Sequence, residues 1–88
     1  MFRLWAKIFA ENRLIKDIVI VNEENDTRTH KILNALDNAC YEFDLGKPVW
    51  LDANIRDFKR HNKVRFIQDN FIEKIEFDFL EIQVIEED

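Results

Sequence analysis

From Phe2 to Ala10 the even positions are apolar (Phe2, Leu4, Ala6, Ile8, Ala10), while the odd ones, Arg3, Trp5, Lys7 and Phe9, are mixed. A period of two belongs to a β-strand, whose successive side chains point to opposite faces. This segment therefore predicts a strand with one apolar and one mixed face. Glu11-Asn12 turns the chain, and Leu14 to Val21 resumes as a run of Ile and Val. Together they read as an antiparallel hairpin, although the turn lacks the favoured Asn-Gly pair. Asn22 to Thr27 is a polar loop.

The period then changes. Ile32, Leu33, Leu36, Ala39, Cys40 and Phe43 recur at three- and four-residue spacing, behind Asp26 or Thr27 as a cap. That pattern predicts a long helix over 28–44. Gly46 is expected as its left-handed terminator and Pro48 lies just beyond. Pro48 to Leu51 is short and extended. Asp52 is placed to cap a second, shorter helix over 53–61, whose buried side is expected to be Ile55 and Phe58. Val64 and Phe66 alternate with Lys63 and Arg65 as a strand does, and Asp69-Asn70 breaks it. Apolar positions then run Phe71, Ile75, Phe77, Phe79 and shift phase to Leu80, Ile82, Val84. A shift of that kind requires a bulge or a short helical turn before a last strand over 80–85.

Strands at both ends with helices between them make an α+β fold: one two-layer domain, a mostly antiparallel sheet covered on one face by the long helix. The expected core is Leu4, Ile8, Ile18, Ile32, Leu36, Cys40, Phe43, Phe58, Phe66 and Ile82. The chain has 88 residues, a length that fits a single domain, 1–88. Domains of this size bury only about 60–65% of their unfolded surface. The 47% apolar content, with eight Phe and two Trp, supplies the needed bulk, and one Gly and one Pro argue against disorder.

Cys40 stands alone, so no internal disulfide forms, whereas small secreted domains usually carry several. Charge interrupts the segment Phe2–Phe9 every few residues, unlike a signal peptide, and no run approaches the ~18 apolar residues of a membrane span. The expectation is a cytoplasmic protein without membrane contact.

Charge adds the one pointer to a partner. Arg56, Lys59, Arg60, Lys63 and Arg65 fall within ten residues, with His61 among them and only Asp57 opposing. The net charge of −5 is thus a segment of +4 against a remainder of −9. Such asymmetry gives a protein two electrostatic faces, or one face that neutralises the other.

Three stretches carry a resemblance: Phe2-Arg3-Leu4-Trp5-Ala6-Lys7-Ile8; Lys47-Pro48-Val49-Trp50-Leu51-Asp52 through Phe58-Lys59-Arg60-His61 to Arg65-Phe66; and Phe77-Asp78-Phe79-Leu80-Glu81-Ile82. Over essentially its whole length the chain resembles a group of small proteins from Gram-positive anaerobic bacteria that has no known activity. The resemblance implies a bacterial housekeeping-type protein and assigns no site.

Chemistry finds little purchase. Zinc sites are usually seeded by ligand pairs two to four residues apart, and His30, His61 and Cys40 form none. The chain contains no serine, which removes Ser–His–Asp catalysis, and Cys40 falls on an apolar helix stripe. Asp37, Glu42 and Asp44 read as a solvated acidic side, and a single glycine excludes phosphate-cradling loops. No enzyme, cofactor or metal is expected. The expected partner is a second copy, as a homodimer or other homo-oligomer, or another protein. Arg56, Lys59, Arg60, Lys63 and Arg65 are candidate contacts, and Trp5 and Phe9, on the face opposite Leu4, are candidate interface aromatics. The alternative is a regulatory module that binds an anion or nucleic acid through 56–65, with Trp50, Phe58 and Phe66 as stacking surfaces. Against nucleic acid stand a pI near 5.0 and the absence of the RNA-recognition strand motif. The basic cluster also has a purely structural explanation, as a solvated face or as partners for acids on neighbouring strands.

Overall fold

The hairpin forms as its alternation predicts. In the computed structural model, which describes residues 1–87, strand β1 (Phe2–Ala10) pairs antiparallel with β2 (Arg13–Asn22), Phe2 opposite Asn22 and Ala10 opposite Arg13. Glu11 and Asn12 both hold left-handed backbone, with φ of 53° and 63°. Two successive positive φ angles give the two-residue turn whose twist matches that of the strands. The turn is braced from outside: Glu11 N–H donates to Asp78 Oδ2 at 2.8 Å, and Asp78 N–H donates to the Phe9 carbonyl at 2.9 Å.

Two further strands, β3 (Lys63–Phe66) and β4 (Phe79–Glu86), complete a sheet of order β2-β1-β4-β3 with every pair antiparallel. The two outermost strands in sequence thus lie side by side at the centre. Helices α1 (Arg28–Glu42, 15 residues) and α2 (Asp52–His61, 10 residues) occupy one face, α1 over β1 and β2, α2 beside β3. The fold is α+β in two layers, and the helices differ less in length than the sequence pattern implied.

Their ends also differ from expectation, for local reasons. Thr27, one of the two expected caps, does cap α1, its hydroxyl accepting from His30 N–H at 3.2 Å, and the differences lie at the other ends. The helix stops at Glu42, and Asp44 rather than Gly46 takes the left-handed position, with φ of 57°. The Leu45 N–H then returns to the Cys40 carbonyl at 2.8 Å, closing the last turn. Gly46 serves close approach instead. Its N–H donates to Glu73 Oε1 at 2.6 Å, and a Cβ there would stand 2.9 Å from that oxygen. Helix α2 starts at Asp52 itself. Leu51 is the cap residue, and the Asn54 side chain accepts its N–H at 2.9 Å, the reaching-back half of a capping box.

The phase shift resolves as a short helical turn. Gln68–Asn70 is a 3-10 turn, residues 71–78 are irregular, and β4 begins only at Phe79. Leu80, Ile82 and Val84 point to the helices, with Phe79 and Glu81 on the other face. One core row runs Ile18–Ala6–Ile82–Val64 across all four strands. Of the ten expected core residues, Ile18 and Phe43 are half-buried against the core and the other eight are buried within it. Trp50 wedges in edge-on, 5.7 Å from Phe58 and 5.0 Å from Phe66.

Leu36 is 2% exposed beneath α1. Truncating a buried Leu usually costs about 2–5 kcal/mol, and each kcal/mol moves the melt of a small domain by roughly 4–8 °C. Leu36→Ala should therefore lower the melting temperature by at least roughly 8 °C in a calorimetric scan; an unchanged melt would mean that α1 faces the sheet differently.

Candidate interaction surfaces

The rotation of α2 sets the first surface. Asn54 and Phe58, one turn apart, are buried, whereas Ile55 is 40% exposed, contrary to the expectation that Ile55 and Phe58 turn inward. Asn54 takes the inward place because a web of amides receives it. Its Nδ2 donates to the Arg65 carbonyl at 3.2 Å and its Oδ1 accepts from Asn70 Nδ2 at 2.7 Å. Asn70 in turn donates to the Val49 carbonyl at 2.9 Å and accepts from Ile67 N–H at 2.9 Å. Val49 N–H closes the circuit on the Asn70 carbonyl at 2.6 Å. A buried amide is costly unless its groups are bonded, and here both side chains are satisfied.

Ile55, turned outward, lines an apolar cleft of about 310 Å³ between the helices. Ile32, Trp50 and Phe58 form its floor, Leu33 and Ile55 its walls, and Arg28 and Lys59 its rim. That volume is at the bottom of the range for ligand clefts, about 300–1,000 Å³, room for one or two aliphatic side chains. Arg28 is held in place: its Nε meets Glu87 Oε1 at 2.6 Å, its Nη2 donates to Asn62 Oδ1 at 2.8 Å, and its guanidinium lies 5.5 Å from the Phe58 ring centroid.

The basic segment divides between the two layers. At 100° per residue, Arg56 and Arg60 point away from the core and Lys59 falls beside Ile55 at the cleft. Lys63 does not belong to the helix surface. It stands in β3 with Arg65 on the far face of the sheet, in register with Gln83 and Glu81 respectively. Arg65 pairs with Glu81 (Nε to Oε1, 3.1 Å), so for this residue the structural explanation holds. Arg3, Lys7, Arg28 and Lys47 also have acid partners. Arg56, Lys59, Arg60 and Lys63 have no ion-pair or hydrogen-bond partner among the described residues. The same is true of Arg13, Lys16 and Lys74, but these are scattered.

The open sheet face is the second surface, and it carries Trp5 and Phe9 as the alternation required. Both are half-buried without any helix above them. Their cover is a row of alternating charge, Asp17–Lys7–Glu81–Arg65, one residue from each strand. Lys7 Nζ meets Glu81 Oε2 at 2.9 Å and donates to Gln83 Oε1 at 3.0 Å, and it lies 3.8 Å from the centroid of the Trp5 ring. Trp5 Nε1 donates to Asp17 Oδ2 at 2.9 Å. Below the row Phe9 stacks on Phe79 at 4.9 Å, with the Arg65 guanidinium 4.5 Å from the Phe79 ring centroid. Lys7 and Glu81 are only 7% and 4% exposed. Burial pushes the Glu81 carboxyl up, but hydrogen bonds and charge from Lys7 and Arg65 outweigh it and leave the group below the ordinary glutamate range. Beside this face β2 is a free edge, with Ile15, Val19 and Val21 exposed.

The remaining candidates stand apart. Phe58 and Phe66 are 5% and 0% exposed, so neither offers a ring face to a base. His30 is exposed beside Asp26 (3.0 Å), and Cys40 is buried, its thiol pushed up to about 11 by desolvation and by Asp37. Among the described residues no three His, Cys, Asp or Glu side chains gather as a metal site requires, and no helix is long and apolar enough to cross a membrane. Sequence reasoning missed the Asn54–Asn70 pair, the buried Lys7–Glu81 pair and the exposure of Ile55. It also missed the 96% exposure of Ile72.

Removing one partner from a buried pair typically costs about 3–5 kcal/mol. Lys7→Met should cost somewhat less, roughly 2–3 kcal/mol, because Arg65 still faces Glu81. Because the Glu81 pKa is lower folded than unfolded, its contribution is present above the unfolded value of about 4.3 and lost as pH falls through the folded one. Glu81→Gln should therefore flatten the decline of stability in acid, measured by urea unfolding against pH; an unaltered decline would place the acid sensitivity elsewhere. A scan against family models finds none that matches this chain, and neither the curated proteins nor the solved structures contain a match.

Proposed function

We propose that this chain is a non-catalytic, cytoplasmic association module that docks an acidic, partly apolar protein surface on α2 and the cleft beside it. One observation carries this reading: in a chain with 18 acidic residues, Arg56, Lys59 and Arg60 gather on one helix with no acid partner among the described residues. Stability does not call for them. Like charges one turn apart on a helix, as Arg56 and Arg60 are, disfavour it by about 0.2–0.5 kcal/mol, and the spacings Asp52 to Arg56 and Asp57 to Arg60 only offset that by a similar amount. The helix dipole favours cations in the last turn, which accounts for part of Lys59 and Arg60. It accounts neither for Arg56 nor for the apolar cleft alongside.

The cleft supports docking over catalysis. Catalytic sites bring several polar groups to one point, whereas here an aliphatic and aromatic floor meets two rim cations. Apolar centre with charged rim is the anatomy of a protein interface. The basic cluster would speed encounter with an acidic partner, and the cleft would take its apolar anchor.

A fluorescently labelled acidic peptide with a single leucine tests this by anisotropy. Binding should weaken steeply as salt approaches about 1 M, where the screening length falls to about 3 Å. Arg56→Glu, Lys59→Glu and Arg60→Glu together should abolish it with the melt nearly unchanged. Equal binding by the triple variant sinks the proposal, and tighter binding of a labelled single-stranded oligonucleotide would favour the nucleic-acid alternative.

A further inference from the structure

The loop between the 3-10 turn and β4 presents what the cleft is built to receive. Its residue Ile72 is 96% exposed. A lone exposed aliphatic side chain is ordinary, but this one stands on a braced support. Its neighbours Phe71 and Ile75 are anchored in the core. The Gln68 carboxamide spans the loop, donating to the Glu73 carbonyl at 2.8 Å and accepting from Ile75 N–H at 2.9 Å. Glu73 Oε1 is fastened to Gly46 N–H at 2.6 Å. The loop is held in shape, and little conformational entropy remains to be lost when Ile72 is buried by a partner.

Charge agrees with shape. Asp69, Glu73 and Glu76 flank Ile72 in sequence, against Lys74, while Lys47 lines the shallow hollow beside Ile72 and leans to Asp37 at 3.3 Å. Asp69 and Glu76 have no partner among the described residues. An acidic crest with one protruding aliphatic is thus the complement of an apolar cleft rimmed by Lys59 and flanked by Arg56 and Arg60. Within one molecule Ile72 is not among the residues that line the cleft, and its side chain stands in solvent.

We infer that Ile72 of one copy seats in the α1–α2 cleft of another. This names the occupant for the docking surface proposed above and rests on that proposal. Because the two patches differ, the contact is either reciprocated in a two-fold pair, the crest of each copy in the cleft of the other, or repeated into a chain or a ring. One inserted side chain and a few charge pairs make a small, weak interface of the transient class.

Light scattering and sedimentation across a concentration series test it. The wild-type mass should rise with concentration and fall back in high salt. Ile72→Asp and Ile55→Asp should each weaken association at least roughly tenfold, the scale of about 1.4 kcal/mol. Mixed together they should form only one-to-one pairs, since one variant keeps the cleft and the other the crest. Lys59→Glu replaces Ile55→Asp if the latter fails to fold. Association indifferent to Ile72→Asp (as pairing along the β2 edge would be) overturns the inference. A wild type that stays monomeric yet binds the labelled acidic peptide overturns it and leaves the docking function standing. Loss of both overturns both.

Discussion

The hydrogen bond from Asn70 Nδ2 to Asn54 Oδ1, 2.7 Å long and buried, decides how α2 sits. A ten-residue helix is marginal alone and takes its orientation from tertiary contacts. If apolar burial alone chose that orientation, Ile55 and Phe58 would both turn inward. The amide pair binds the inner side of α2 to the 3-10 turn and to Val49 as well as to β3, so Asn54 displaces Ile55. Everything proposed about the outer surface follows from that rotation: the cleft wall at Ile55, Lys59 at the rim, and Arg56 and Arg60 turned to solvent.

The sheet shows the same competition between polar and apolar demands, resolved differently. Two helices cover one face of four strands, and the other face must be covered by its own side chains. It is covered by long ones. Lys7, Arg65 and Gln83 lie across the sheet with Trp5, Phe9 and Phe79 packed around them, so their aliphatic stems and rings shield a charged row that is itself paired. The two aromatics first considered as interface residues are therefore partly engaged within the chain, through Asp17, Lys7 and Phe79. The cations of α2 have no such engagement among the described residues, and this difference directs the functional reading to the helix rather than to the sheet.

What the sequence disclosed and what it withheld divide along physical lines. Periodicity exposed β1 and α1, because each repeats its burial over four or more positions, and a run of Ile and Val exposed β2; Leu36 and Cys40 on one stripe, or Leu4 and Ile8 on one strand face, leave few alternatives. Ends were less legible. Left-handed backbone at Asp44 depends on the Leu45 N–H reaching Cys40, and Gly46 is explained only by Glu73, a residue distant in sequence. The amide pair was invisible for the same reason: Asn70 reads as a loop breaker until the fold brings it to Asn54. The basic segment was visible as composition, and alternation with Val64 and Phe66 already set Lys63 and Arg65 in a strand; the pairing of Arg65 with Glu81 was not visible. Lys63 and Arg65 left the cluster when β3 began at Lys63, after the left-handed Asn62 (φ 56°) turned the chain.

The most direct test is a map of backbone amide chemical shifts in the folded protein as its own concentration rises, repeated as the acidic peptide is added. The account predicts that peptide addition perturbs Leu33, Ile55, Lys59 and their neighbours. Self-association should perturb the same residues together with the loop around Ile72. In both titrations Trp5, Phe9 and Phe79 on the open sheet face should stay still. Perturbations confined to that face or to the β2 edge, with α2 silent, would contradict it.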